Sequence, residues 1–154
     1  MISEPTTPQL IDAVCAELDS KVGPAIEDGP TKVLLEMALA VLRGASVRSA
    51  NELAWMAEEA EAIEAVAQRF VAELPDASAL AEALEIHNAG KTGSRYLAAA
   101  QQEYERASEL LSRATEAAYL DGSPERIAAI VALHDQRLAN ENAVTGEFLA
   151  AGRS

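Results

Sequence analysis

The sequence predicts an all-α protein, folded as an antiparallel helical bundle of about six helices, three of them long. Apolar residues recur every three or four positions along most of the chain, and segments that alternate like a strand are absent. The chain is 49% hydrophobic but only 4% aromatic, so alanine and aliphatic side chains must form the core. We expect a loose tail at 1–6 and a single domain at 7–150.

The first two predicted helices lie in the first third of the chain. Thr7 can cap the first helix, and Pro8 suits its first position. After a bend at Gly23-Pro24 comes segment 32–43, KVLLEMALAVLR, which is apolar around nearly its whole circumference. Such a helix cannot lie on a surface, so we expect other helices to enclose it. Gly44 should end it.

The third and fourth predicted helices follow. Ser49 and Glu52 match a capping box, which predicts a long helix that ends near Leu74. Asp76 should cap a shorter helix that ends near His87. The apolar seam of the long helix comprises Leu53, Met56, Ala60, Ile63, Ala67, Phe70 and Leu74.

Two more long helices complete the predicted bundle. The fifth starts near Ser94, and Gly122 and Pro124 form a tight reversal before the sixth, which runs to about Ala150. The seam of the fifth comprises Leu97, Ala100, Tyr104, Ala107, Leu111, Ala114 and Ala118. The inner stripe of the sixth comprises Ile127, Val131, His134, Leu138 and Leu149.

Charge and composition limit the partners. The net charge of −13 repels phosphate backbones, so we expect no nucleic-acid partner. Segment 32–43 is too short to cross a bilayer, which takes about 20 residues, so we expect no membrane partner. The N-terminal sequence lacks a basic region followed by an apolar core, which indicates a cytoplasmic protein. The one cysteine, Cys15, cannot form an internal disulfide and should be a buried apolar residue.

The strongest candidate for a ligand site surrounds His134. With His134 on the inner stripe, Glu141, Asn142 and Thr145 would make that stripe polar toward the C-terminus. Such a cluster could line a small-molecule pocket, although a hydrogen-bonded structural histidine is the commoner use of this pattern. His87, in a last helical turn, should be an imidazolium that complements the helix dipole.

A second candidate is an anion site at Lys91 and Arg95, in a glycine-containing loop before a helix N-terminus. The alternative is a loop with solvated charges. A nucleotide-binding P-loop is excluded, because Glu85 stands where the motif requires glycine.

Catalytic and metal sites are not indicated. The glutamates at 58, 59, 61 and 64 should be solvated on an exposed helical face. No Glu-x-x-His pair occurs, which argues against a di-iron site, and two histidines cannot supply a three-histidine zinc site. We therefore expect no catalytic residue, no metal and no cofactor.

The stretch TPQLIDAVCAELDSKVGPAIEDGP, followed by KVLLEMALAVLRG, resembles an uncharacterised family of small all-helical domains. In that family a capped helix leads through a Leu-Pro-Ala-Leu bend, here Gly23-Pro24-Ala25-Ile26, into an alanine-rich buried helix. Its members lie beside, or are fused to, acyl-CoA dehydrogenases and aminoglycoside-phosphotransferase-like kinases. The resemblance covers residues 7–44 and implies a link to acyl-CoA metabolism without a known activity.

These patterns favour a non-enzymatic interaction or accessory protein. The continuous apolar seams, together with segment 32–43, exceed what one subunit can cover, which predicts a homo-oligomer, most simply a dimer. A further protein partner is compatible with this function. The alternative is a bundle that binds a small molecule or an acyl ligand, or an enzyme, at the polar site around His134.

Overall fold

The computed structural model describes residues 4–145, and these residues confirm the all-α fold class. They form five α-helices: α1 (Thr7–Glu17), α2 (Gly29–Glu73), α3 (Ser78–Ala89), α4 (Leu97–Asp121) and α5 (Pro124–Thr145). A π-helical turn (Leu18–Val22) and a 3₁₀ turn (Gly23–Ala25) follow α1, which confirms the predicted bend. No strand occurs within the described residues.

The predicted second and third helices are one continuous helix, α2, of 45 residues. The predicted stop at Gly44 and the capping box at Ser49 and Glu52 are therefore wrong. A glycine inside a helix costs only about 1 kcal/mol, which the strong helix formers on both sides offset. Gly44 serves close packing instead, because a Cβ atom there would lie 3.0 Å from the carbonyl oxygen of Val144 in α5.

The chain forms two compact units. The described part of the first comprises residues 4–52 and 139–145, and the second is Leu53–Leu138. Both α2 and α5 contribute to each unit. Compact units of this size can belong to one domain, so the single domain at 7–150 stays a prediction.

The second unit contains an antiparallel bundle, as predicted. Arg126 at the start of α5 pairs with Glu73 at the end of α2, N to O 3.1 Å apart. Arg106 of α4 donates a 2.6 Å hydrogen bond to the carbonyl of Gly90, which follows α3. Arg137, later in α5, contacts Glu59, earlier in α2, so α2 and α5 are antiparallel. The core residues are Ile63, Ala67, Phe70, Ala77, Leu80, Ala107, Leu110, Leu111, Ala114, Ala118, Ile130 and Leu133.

The predicted seams of this bundle are confirmed in their middle sections. Ile63, Ala67 and Phe70 of α2 are buried, as are the predicted α4 positions from Ala107 to Ala118. The α2 seam becomes more exposed toward its N-terminal end, where Leu53 is 44% exposed.

The predicted inner stripe of α5 is wrong by one residue. Ile130 and Leu133 are buried, whereas Val131, His134 and Leu138 are exposed. The sequence places apolar residues on two adjacent faces of this helix, so spacing alone does not distinguish two registers that differ by one residue, or about 100°. Leu149 and the predicted helix end at Ala150 lie outside the described residues.

Helix starts differ from the prediction by one to three residues. Thr6, not Thr7, is the N-cap of α1, and its backbone N–H donates a 2.7 Å hydrogen bond to the side chain of Gln9. Ala77, not Asp76, precedes α3, and α4 begins at Leu97. The reversal after α4 is confirmed, because Gly122 has φ 74°, the left-handed conformation that favours glycine.

In the first unit, α1 contacts the first half of α2. The Ser46 hydroxyl donates a 2.7 Å hydrogen bond to Asp12, and Arg43 pairs with Asp19 at 3.1 Å. Cys15 and Leu39 are buried, which confirms the prediction for the cysteine.

The predicted enclosure of segment 32–43 is wrong within this chain. Four large apolar side chains of the segment are more than half exposed: Val33 (54%), Leu34 (65%), Met37 (61%) and Val41 (72%). Leu39 alone of its residues is buried. Among the described residues of the first unit, α1 is the only other helix of comparable length, and one helix can cover only one side of an apolar cylinder.

Candidate functional site

The second unit contains a buried polar cluster, formed by Glu59, Tyr104, Ser108 and Arg137. Glu59 of α2 is only 5% exposed, and it accepts a 2.5 Å hydrogen bond from the hydroxyl of Tyr104 in α4. Arg137 of α5 donates to Glu59 at 3.2 Å and to the Ser108 hydroxyl at 3.1 Å. Its guanidinium carbon also lies 4.9 Å from the centre of the Tyr104 ring. The cluster thus joins three helices through one carboxylate.

The electrostatics of this cluster keep the Tyr104 hydroxyl a hydrogen-bond donor. Burial, and then the hydrogen bond to the Glu59 carboxylate, raises the pKa of Tyr104 to about 12. The phenol therefore stays protonated at neutral pH and remains a donor to Glu59. A buried carboxylate left without its cation would cost several kcal/mol, so Arg137 makes the burial of Glu59 tolerable.

An open groove of about 320 Å³ lies beside this cluster, between α2 and the start of α4. Its apolar lining comes from Leu53, Ala54, Met56, Ala57, Ala60 and Ala100. Its polar lining comes from Ser94, Arg95, Glu103 and Tyr104. The alanines leave space because a methyl group cannot fill the gap between two helices that larger side chains would close.

A second polar cluster surrounds His87 at the end of α3. His87 is 2% exposed, and neither ring nitrogen has a hydrogen-bond partner among the described residues. Its Nε2 lies 4.0 Å from a carboxylate oxygen of Glu64, which also binds Lys91. Burial, and then the positive charge of Lys91, lowers the pKa of His87. The predicted imidazolium is therefore wrong: the histidine is neutral at neutral pH.

The residues of the predicted His134 site lie on the exposed surface of α5. His134, Glu141, Asn142 and Thr145 are all exposed, so the inner stripe on which that prediction rested does not exist. The Thr145 hydroxyl donates to the carbonyl of Glu141, 3.2 Å away, within its own helix. A ligand-binding role for these four residues stays a prediction.

The two residues of the predicted anion site differ in their environment. Lys91 is paired with Glu64, so its charge is already compensated. Arg95 is exposed at the groove and makes no ion pair or hydrogen bond with a described residue. Of the two, Arg95 is therefore the cation that remains available for a ligand.

The expectation that the glutamates of α2 are solvated is wrong for Glu59 and Glu64. Both carboxylates are largely buried, with side chains 7% and 16% exposed. One signal in the sequence could have indicated this: Tyr104 interrupts an otherwise aliphatic seam, and a buried phenol needs a hydrogen-bond partner. The cation, Arg137, could not have been found from the predicted register of α5.

Within residues 4–145, no three His, Cys, Asp or Glu side chains come together as a metal site. No described helix is long and apolar enough to span a membrane. Comparison with known proteins identifies no matching family model, no similar curated protein and no similar solved structure. The fold alone thus defines the class, an all-α helical protein, and the resemblance of residues 7–44 stays a prediction.

Proposed function

We propose that this protein is a non-enzymatic interaction protein that self-associates as a homodimer. The observation that carries the proposal is the exposed apolar surface of Val33, Leu34, Met37 and Val41, which we call the α2 face. Single exposed apolar residues are common on soluble proteins, whereas a contiguous group on one helix marks an interaction surface.

The spacing of the α2 face suits a partner helix. Leu34, Met37 and Val41 are three and four residues apart, so they form one stripe along the helix. No charged residue occupies a stripe position between Leu34 and Val41, and the next cation, Arg43, is paired with Asp19. A second helix can therefore pack here without burying an unpaired charge.

A second copy of the chain is the partner that the first unit favours. In its described residues only Cys15 and Leu39 are buried hydrophobics. Its exposed large hydrophobics are Leu10, Val14, Val22, Val33, Leu34, Met37 and Val41. So small a buried core contributes little stability, so the first unit needs further apolar cover. A second copy supplies the same face, and a two-fold interface pairs it with itself.

The test is the molar mass in solution, measured by size exclusion with light scattering, for the wild type and for Val41→Lys. We expect a dimer for the wild type and a monomer for Val41→Lys, because lysine would place an unpaired charge in the interface. Val131→Lys is the matched control, since Val131 is also an exposed valine within a helix but lies on α5. It should remain dimeric.

A wild type that is monomeric at tens of micromolar would refute the proposal. So would a Val41→Lys variant that dimerises as tightly as Val131→Lys, because the interface would then lie elsewhere.

A further inference from the structure

In the groove between α2 and α4, the apolar seam of α2 continues, but its side chains are not covered by α4. Ile63, Ala67 and Phe70 are buried in the core, whereas Leu53 and Met56, earlier on the same seam, line the open groove. Alanines form most of the remaining apolar lining. The groove therefore offers an uncovered apolar lining at the end of an otherwise closed core. Its volume of about 320 Å³ lies at the lower end of the range for small-molecule sites.

The polar groups of this groove favour an anion. Glu103 supplies its one carboxylate, and that group already accepts hydrogen bonds from the backbone N–H of Thr92, at 2.7 Å, and from its hydroxyl, at 2.6 Å. The Tyr104 hydroxyl is committed to Glu59. Arg95 is thus the charged group of the lining that has no partner among the described residues.

We propose that this groove binds a small amphipathic carboxylate, with its carboxylate on Arg95 and its aliphatic chain along Leu53, Met56 and Ala57. Salt screens the attraction between exposed charges, so a single exposed arginine binds a simple anion only weakly. The apolar chain supplies the additional affinity by leaving water. This site is independent of the α2 face, and the proposal stands or falls separately from self-association.

The two methionines of the described helices allow the experiment to distinguish binding in the groove from binding on the α2 face. Met56 lines the groove and Met37 lies on the α2 face, so their methyl NMR signals report the two surfaces separately. The probe is octanoate, titrated into the ¹³C-methyl-methionine protein. We expect a saturable shift at Met56 that exceeds any shift at Met37. Inorganic phosphate should move neither signal.

Two variants, with one control, test the contacts of the carboxylate and of the aliphatic chain. Arg95→Gln should weaken octanoate binding about tenfold, the effect of losing one charge-assisted hydrogen bond, and should leave 1-octanol binding unchanged. Arg48→Gln is the control for loss of an exposed arginine and should bind octanoate like the wild type. Ala57→Phe should fill the groove and abolish the shift at Met56, while circular dichroism shows that the helices are retained.

Three results would overturn the proposal. The first is the absence of a saturable shift at Met56 up to about 10 mM octanoate, beyond which binding is too weak to be specific. The second is a larger shift at Met37, which would place the ligand on the α2 face. The third is unchanged octanoate affinity in Arg95→Gln or in folded Ala57→Phe.

Discussion

At the scale of single residues, His87 is the least satisfied group in the second unit. Its ring is enclosed while both nitrogens lack a hydrogen-bond partner among the described residues. Four charged groups influence it: Glu64 from α2, Lys91 from the loop after α3, and Glu103 and Arg106 from α4. The two cations oppose a proton on His87 and the two carboxylates favour it, but burial is the largest effect.

We predict that His87 makes the protein less stable as the pH falls from 7 to 5. Its pKa in the folded state lies below the ordinary value of 6.5, so the unfolded chain binds the proton first. The stabilisation is complete above the ordinary value and is lost as the pH falls toward the lowered pKa. His87→Leu should remove this part of the pH dependence, measured by urea unfolding at both pH values.

The exposed histidine supplies the control for that prediction. His134→Leu should retain the wild-type loss of stability between pH 7 and pH 5. Equal pH dependence in His87→Leu and the wild type would show that other groups cause the acid sensitivity.

At the scale of elements, the continuity of α2 is the main departure from the sequence prediction. Local signals at Gly44, Ser49 and Glu52 match the end of one helix and the start of the next. In the structure Gly44 lies against Val144, and Ser49 donates a 2.8 Å hydrogen bond to the carbonyl of Ser46. Gly44 thus allows close packing, and Ser49 lies in the interior of one continuous helix.

Ala50→Pro distinguishes the two interpretations. If Ser49 capped a new helix, Ala50 would be its first position, where proline is favoured. In a continuous helix, proline there removes a backbone hydrogen bond and clashes with the preceding turn. We therefore expect Ala50→Pro to destabilise the protein by about 3 kcal/mol in urea unfolding, with loss of helical circular dichroism.

The control for this variant is Leu97→Pro. Leu97 is the first residue of α4, and Tyr96 before it is extended, with ψ 134°, as a residue before proline should be. A tolerated Ala50→Pro, with stability no lower than that of Leu97→Pro, would contradict a continuous α2.

At the scale of the whole molecule, charge would oppose the association of two copies that we propose. Each chain carries −13, so two copies repel each other when salt is low. The four residues of the α2 face are uncharged, so the free energy of burying them in a dimer would not depend directly on salt screening.

We predict that dimerisation strengthens with salt. Raising NaCl from about 20 mM to about 500 mM shortens the screening length severalfold and should lower the dimer dissociation constant, measured by sedimentation equilibrium. Val41→Lys should stay monomeric at both salt concentrations. Weaker association at high salt would indicate an interface held by ion pairs and would count against the α2 face.

Much of the molecule follows from the sequence by itself. The helical class, the central seams of α2 and α4, the burial of Cys15 and the reversal at Gly122 all follow from local periodicity and turn chemistry. These features depend on residues close together in the chain, so a single sequence contains the information that specifies them.

Only the tertiary structure decided which face of each helix is covered. The pairing of Glu59 with Arg137 joins residues 78 positions apart, and a one-residue change in the register of α5 would put Arg137 elsewhere. The exposure of Val41 likewise depends on how few of the described helices reach the first half of α2. Burial is set by neighbours that are distant in the chain, and the spacing of apolar residues along one helix does not identify those neighbours.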